Sequence, residues 1–174
     1  MVESYLNSIK TLSADFIQIS PDSSISRGRF YLKRPGRLRF EYEPPTPILI
    51  VADGTYLNYF DVELGQLSQL GVYSTSIGVI VAKEVVLGGR VTVTSVRRRE
   101  AVIALTTIDT VEPERGTLTL IFSKRPLELR KWEIIDSQGF LTTVALDEVS
   151  VNSQLDPDLF KFRRPESVKR TDTR

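Results

Sequence analysis

Apolar and charged residues alternate through residues 28–43, GRFYLKRPGRLRFEYE, in two runs separated by Pro35-Gly36. In the first run Phe30 and Leu32 point one way while Arg29, Tyr31 and Lys33 point the other. In the second, Leu38, Phe40 and Tyr42 share a face against Arg37, Arg39, Glu41 and Glu43. A period of two is that of half-buried antiparallel strands. Arg34 breaks the pattern. If the first strand continues to Pro35, Arg34 falls on the Phe30 and Leu32 side, and a guanidinium that keeps its charge faces apolar surroundings. It then needs acceptors, because a buried charge left unpaired is strongly destabilising. The alternative is a strand that ends at Lys33, with Arg34 curling out to water.

The pattern extends along the chain. Tyr5, Ile9 and Leu12 recur at helical spacing, so an amphipathic helix is expected near the N-terminus, lying on an apolar surface. From Ser13 the period becomes two, with Ala14, Phe16 and Gln18 opposite Asp15, Ile17 and Ile19. Pro44-Pro45 interrupts the sheet, residues 48–52 resume it with Ile50 at their centre, and Asp53-Gly54 is a hairpin signal leading into residues 56–61, which carry Tyr56 and Phe60. Residues 73–87 differ: Ile77, Ile80, Val81 and Val85 form a helical stripe with Ser74, Ser76, Gly78 and Ala82 between them. A helix with so few charges is expected to lie against the sheet as a lid, and Gly88-Gly89 ends it. Strands are then expected over residues 90–97, 101–108, 116–123, 127–136 and 140–152. Leu118, Leu120 and Phe122 share one face, as do Val144 and Leu146. Asp156-Pro157 has the form of a short helix start, and Phe160 and Phe162 alternate again before Pro165. A single domain over residues 1–165 and a loose tail over 166–174 are expected.

About ten antiparallel strands joined by hairpins twist until the sheet nearly closes. The fold class is therefore mainly β, with the apolar faces lining a concavity. Filling that concavity takes more side chains than two short helices carry, so a cavity under a helical lid is one outcome and a fully packed barrel the other.

Composition narrows the chemistry. At 174 residues and 41% hydrophobic content the chain supports one sizeable core. Lys and Arg total 23 against 22 Asp and Glu, so no overall field gathers polyanions and no nucleic acid is expected. Six basic residues between Arg27 and Arg39 fall mostly on outward strand faces, and Arg97, Arg98 and Arg99 with Glu100 read as a hairpin turn. Without Cys or His, thiolate and imidazole zinc sites, Ser-His-Asp and Cys-His machinery and histidine-ligated haem are excluded. No metal or cofactor is expected. Asp53, Asp61, Glu112 and Glu114 remain as candidates for acid–base chemistry, but each stands at a turn or strand end where carboxylates are ordinary, so no enzyme is expected. No run approaches the ~20 apolar residues that span a bilayer, and the first residues lack the basic-then-apolar pattern of an export signal.

Four ordered segments resemble those of the periplasmic outer-membrane lipoprotein carriers, the LolA family, along nearly the whole chain. Ala14-Asp15-Phe16-Ile17-Gln18 is similar to the family's A-x-F-x-Q segment, and Ser26-x-Gly28-x-Phe30-x-Leu32-Lys33-Arg34-Pro35-Gly36-Arg37-Leu38-Arg39-Phe40 to its central signature. Val51-Ala52-Asp53-Gly54 with Tyr59 resembles the hairpin that follows, and Phe160-Lys161-Phe162-Arg163-Arg164-Pro165 the closing F-x-F-x-P. The resemblance implies an incomplete antiparallel β-barrel capped by a few α-helices, whose apolar cavity shields the acyl chains of a lipoprotein between inner and outer membrane. Phe16, Phe30, Leu32, Leu38, Phe40 and Tyr42 would then line the cavity on one side. Ile50, Tyr56, Phe60, Leu118, Leu120 and Phe122 would complete it. Ile77, Ile80, Val81 and Val85 would form the lid helix, and Arg34 would bond to lid carbonyls and hold the empty cavity shut. The implied partners are acylated lipoproteins, an inner-membrane lipoprotein-releasing transporter and an outer-membrane receptor; the implied location is the periplasm, and a monomer is expected. Another lipid or glycolipid on the same fold is the alternative cargo, and a carboxylate-based hydrolase a further one. Glu166-Ser167-Val168 replaces the glycine and further strand usual after the closing motif. The chain also lacks the N-terminal lipidated cysteine of the sister receptor.

Overall fold

The computed structural model describes residues 1–165. A helix, α1 (Val2–Ser8), precedes eleven antiparallel strands in one sheet: β1 (Thr11–Ile19), β2 (Ile25–Lys33), β3 (Arg37–Tyr42), β4 (Ile48–Asp53), β5 (Tyr56–Asp61), β6 (Gln66–Gly71), β7 (Val91–Arg98), β8 (Val102–Asp109), β9 (Thr117–Lys124), β10 (Leu127–Ile135) and β11 (Leu141–Val151). Their spatial order is β6-β5-β4-β3-β2-β1-β11-β10-β9-β8-β7. Every neighbour is a hairpin partner except β1 and β11, which join the two halves through pairs such as Phe16↔Leu146 and Gln18↔Val144. The sheet is a curved, open barrel whose two edges, β6 and β7, remain apart.

The period-two pattern sets the register. Phe30 lies opposite Phe40 and Leu32 opposite Leu38, so their side chains leave the sheet on one face, and a slip by one residue would turn all four to the other. Gly28, at the same parity, is required by packing: a Cβ there would stand 1.8 Å from the Glu41 carbonyl oxygen and 3.0 Å from the Phe16 ring. The concave core runs from Leu12, Ala14 and Phe16 through Phe30, Leu38 and Phe40 to Leu120, Phe122 and Trp132. Phe30 packs against Phe40 at 4.7 Å and against Trp132 at 5.3 Å between ring centroids.

Three elements depart from expectation. β6 has no counterpart among the expected strands: QLSQLG spaces its leucines three apart and is exposed along most of its length, so only pairing with β5 makes it a strand. Helix α1 stops at Ser8 because the chain turns directly into β1. The Asp156-Pro157 start gives a 3₁₀ turn, Pro157–Phe160, capped by Asp156 accepting from the Asp158 N–H at 2.9 Å. Phe160, which ends that turn, and Phe162 beyond it lie on the convex side without forming a strand. The tail expected over 166–174 lies outside the described residues.

Candidate functional site

Because β6 and β7 are opposite edges of an open sheet, the chain between them must cross from one side of the molecule to the other. Residues 72–90 do so over the concave face, through a 3₁₀ turn (Val72–Ser74) and a short helix, α2 (Gly78–Val81). Ile77, Ile80, Val81 and Val85 are buried against the concave core. The helix expected over 73–87 is thus cut to four residues. Ile77, Val79, Ile80 and Val81 are β-branched and disfavour helix, Gly78 is helix-weakening, and Ala82 adopts extended backbone (φ −54°, ψ 148°). The crossing is held by packing rather than by its own helical bonds.

Hydrogen bonds fasten this lid at two places. At the first, the Arg34 N–H donates to the Lys10 carbonyl at 2.9 Å, keeping the chain beside the sheet one residue past β2. The half-buried side chain is directed at the lid, Nη1 donating to the Ala82 carbonyl at 3.0 Å. Its Nε is buried with no hydrogen-bond partner among the described residues. Burial pushes the guanidinium below arginine's ordinary value, though an arginine remains charged at any physiological pH. The adjoining turn takes part too: the Gly36 N–H donates to Val81 O at 2.7 Å. Gly36 has φ +72°, and a Cβ there would lie 2.9 Å from both the Gly54 carbonyl oxygen and the Tyr73 hydroxyl, so this contact requires glycine.

The second place was not visible in the sequence. Asn7 Nδ2 donates to Val85 O at 2.9 Å while Asn7 Oδ1 accepts from the Val85 N–H at 2.8 Å, so one amide side chain replaces a strand for that residue. Glu3 accepts from the Leu87 N–H at 2.8 Å. Both come from α1, which is itself tied to the sheet by the Tyr5 hydroxyl accepting from the Leu129 N–H at 3.0 Å. Helical spacing marks the apolar face of α1; nothing in it marks a polar residue as bound to a segment 78 positions away.

Of the residues expected around an acyl cavity, Phe16, Phe30, Leu32, Leu38, Phe40, Leu118, Leu120 and Phe122 are buried on the concave face, with Tyr42 and Ile50 half-buried beside them. Tyr56 and Phe60 are not. Phe60 pairs with Leu49 and Leu67 at the parity of Asn58, which puts it on the convex face, where Phe162 packs at 5.9 Å and the Arg164 guanidinium lies 5.3 Å above its ring. Tyr56 shares that parity and is half exposed. The run Tyr-Leu-Asn-Tyr-Phe-Asp places large residues at both parities, so alternation there did not identify the inner face. Trp132, absent from the expected set, is among the largest fully buried side chains and packs on Phe30 and Phe40.

Of the two outcomes left open, a cavity under the lid or a packed interior, the structure lies nearer the second, with the lid's own side chains packed on the concave face. A void of about 190 Å³ remains between the lid and β7–β9, lined by Val79, Ala82, Val91, Ile108 and Leu118 among others. That is little more than the ~150 Å³ that admits one benzene. An open recess of about 510 Å³ lies at the far end of the concave face from Arg34, with Gln18, Tyr42, Ile50 and Tyr59 in its wall. There Tyr42 donates to Gln18 Oε1 at 2.8 Å, and burial, followed by the nearby Tyr59, pushes its phenol above the ordinary range despite that bond.

The carboxylates do not assemble a site. Asp53 accepts from the N–H groups of Thr55 and Tyr56, and Asp61 from that of Leu64, each within its own turn. Glu112 is engaged by Arg90 and Arg115 at 2.9 and 2.7 Å. Glu114 lies in the 3₁₀ turn Pro113–Arg115 and is exposed.

Comparison with known proteins places this geometry. A family model described as outer membrane lipoprotein carrier protein LolA matches residues 7–163. A protein of Methylococcus capsulatus named outer-membrane lipoprotein carrier protein is 30% identical over 96% of this chain and 84% of its own length. One of the same name from Legionella pneumophila is 29% identical over 97% and 86%. An uncharacterized conserved protein from Thermus thermophilus, at 10% identity, shares the fold with a TM-score of 0.54 over 95% of this chain and 96% of that one.

Proposed function

The chain belongs to the LolA family of outer membrane lipoprotein carriers, and on that premise we propose that it shields lipoprotein acyl chains in the periplasm by letting them take the place of its lid. The observation that carries this reading is the lid itself: an apolar segment bridging the two edges of an open barrel, packed on a greasy face and fastened by few polar contacts, one from an arginine whose Nε is unsatisfied. Such a segment is built to leave.

Energetics support the exchange. Three chains of ~15 carbons, at ~0.8 kcal/mol per buried methylene, would gain ~36 kcal/mol, beyond the ~18–21 kcal/mol at which non-covalent affinity saturates. A carrier that bound so tightly would not release. Burial of Ile77, Ile80, Val81 and Val85 in the closed form is worth ~1.5–3 kcal/mol each, or ~6–12 kcal/mol together, which cargo must displace and release restores. Cargo would arrive from an inner-membrane lipoprotein-releasing transporter and pass to an outer-membrane receptor. The reading is tested by purifying the protein without detergent in the presence of a triacylated peptide and recording native mass spectra. A one-to-one complex whose formation protects the concave strands and exposes residues 78–87 to hydrogen exchange is expected; binding without change in the lid refutes the exchange.

A further inference from the structure

The convex side of β3–β5 carries a second recess, separated by the full thickness of the sheet from the concave face used above. It is an open groove of about 550 Å³ between these strands and the segment that follows β11. Three of the four segments singled out in the sequence meet there: Lys33 and Arg37 from the central one, Asp53 from the hairpin, and Phe160 and Phe162 from the closing one. None of these residues has a part in the lid or the concave core, and Lys33 and Arg37 are directly opposed across the β2–β3 ladder. Like charges so placed destabilise a sheet unless something compensates them. Both are half-buried, and neither has a carboxylate within ion-pair distance among the described residues, whereas Arg29 and Arg39 on the same face are paired with Asp15 and Glu41 at 2.6 Å.

The remaining polar groups of the groove offset these charges only in part. Asp53 faces Arg37 in the register and contributes one negative charge, but its Oδ1 is turned to the N–H groups of Thr55 and Tyr56 and it forms no ion pair with either cation among the described residues. Asn58, buried in the floor, accepts from Gln69 at 2.7 Å and donates to Val51 O at 3.1 Å, which holds the floor in place without using the two cations. Lys161 adds a third cation at the rim, already paired with Asp158 at 2.7 Å.

We propose that this groove binds a phosphate group, with the Arg37 guanidinium and the Lys33 ammonium as its two charged donors. A phosphate monoester carries about −1.5 to −2 charges and three strong acceptor oxygens, which suits two cations that no ion pair engages better than a single carboxylate does. Arginine presents the planar fork that meets phosphate oxygens in pairs, and lysine the point charge beside it. A free phosphate ester offers this group in full, and a phospholipid headgroup offers it as a diester with one charge and two free oxygens. The proposal does not rest on the carrier reading, since no residue of the lid lines the groove.

The test is an amide-resolved NMR titration of the full chain with inorganic phosphate and with sn-glycerol 3-phosphate, followed by sedimentation with vesicles of phosphatidylglycerol and, separately, of phosphatidylcholine. Saturable shifts centred on Lys33, Arg37, Asp53 and Asn58 are expected. The double variant Lys33→Gln/Arg37→Gln is expected to weaken binding at least tenfold, while Arg97→Gln/Arg98→Gln, with the same charge loss in the edge strand β7, does not. Phosphatidylglycerol sedimentation that depends on Lys33 and Arg37 assigns the phosphate to a headgroup; phosphate binding without it assigns the site to a soluble ester. Shifts that do not saturate, that centre elsewhere, or that persist unchanged in the double variant with its native circular dichroism intact overturn the proposal.

Discussion

Replacing Arg34 with leucine isolates the latch. The substitution removes one hydrogen bond from a charged donor, Nη1 to Ala82 O at 3.0 Å, worth ~1.5–3 kcal/mol. It also removes the buried, unpartnered Nε, whose desolvation costs ~1–3 kcal/mol, so the two effects nearly offset and overall stability should change little. The balance between lid and cargo does not share that offset. With acyl chains on the concave face, leucine adds apolar contact where the wild type presents a charge, while the closed lid has lost a fastening. At ~1.4 kcal/mol per tenfold, the lost bond alone favours the open form by roughly 10- to 150-fold. Transfer of a fluorescent acylated peptide from the variant to acceptor vesicles is therefore expected to be at least tenfold slower than from wild type, with faster hydrogen exchange at Val81 and Val85 in the free protein. Unchanged transfer kinetics, in a variant whose thermal unfolding matches wild type, would refute the idea that Arg34 biases the lid.

Asn7→Ala deletes both hydrogen bonds to Val85, ~1–3 kcal/mol in all; the Val85 amide should lose protection by about fivefold or more, and equal protection would show that α1 does not clamp the lid. A lipophilic dye that needs the concave face binds in proportion to the open fraction, so its affinity should rise in the order wild type, single variants Arg34→Leu and Asn7→Ala, double variant. Identical affinities would place the dye elsewhere. Asp53 is held below the ordinary carboxylate range: burial acts against this, but the Tyr56 and Thr55 N–H groups and Asn58 outweigh it. A lowered folded value contributes stability that is present above the unfolded value of about 3.9 and lost as pH falls through the folded one. Asp53→Asn should accordingly flatten the loss of stability below about pH 4, and urea midpoints with the same pH slope in both proteins would contradict the assignment.

Much of the strand pattern is legible in the chain because a half-buried strand has a period of two and hairpin turns have their own chemistry. Residues 28–43 alternate cleanly, and β2 and β3 fall there with Phe30, Leu32, Leu38 and Phe40 inside. Where both parities carry large residues, as in 56–61, the same rule leaves the inner face undetermined, and Tyr56 and Phe60 turn outward. Where no period exists, as in 66–71, a strand forms because a neighbour supplies its partner.

What the sequence determined by itself was local: which residues extend, which turn, and that Arg34 stands out of pattern. Tertiary structure decided the rest. The sheet's edges stay apart, so the 72–90 segment must bridge them. That bridge forms only one short α-helix because its burial comes from contacts with strands distant in sequence, and those contacts also decide how far the concave face is filled, which strand counting left open. Asn7 meets Val85, and Lys33 faces Arg37 over a groove floored by Asn58, through packing and long-range pairing. Periodicity reports the surroundings of a residue averaged along its own element, whereas a latch or a binding site is a relation between elements, set when the sheet curls.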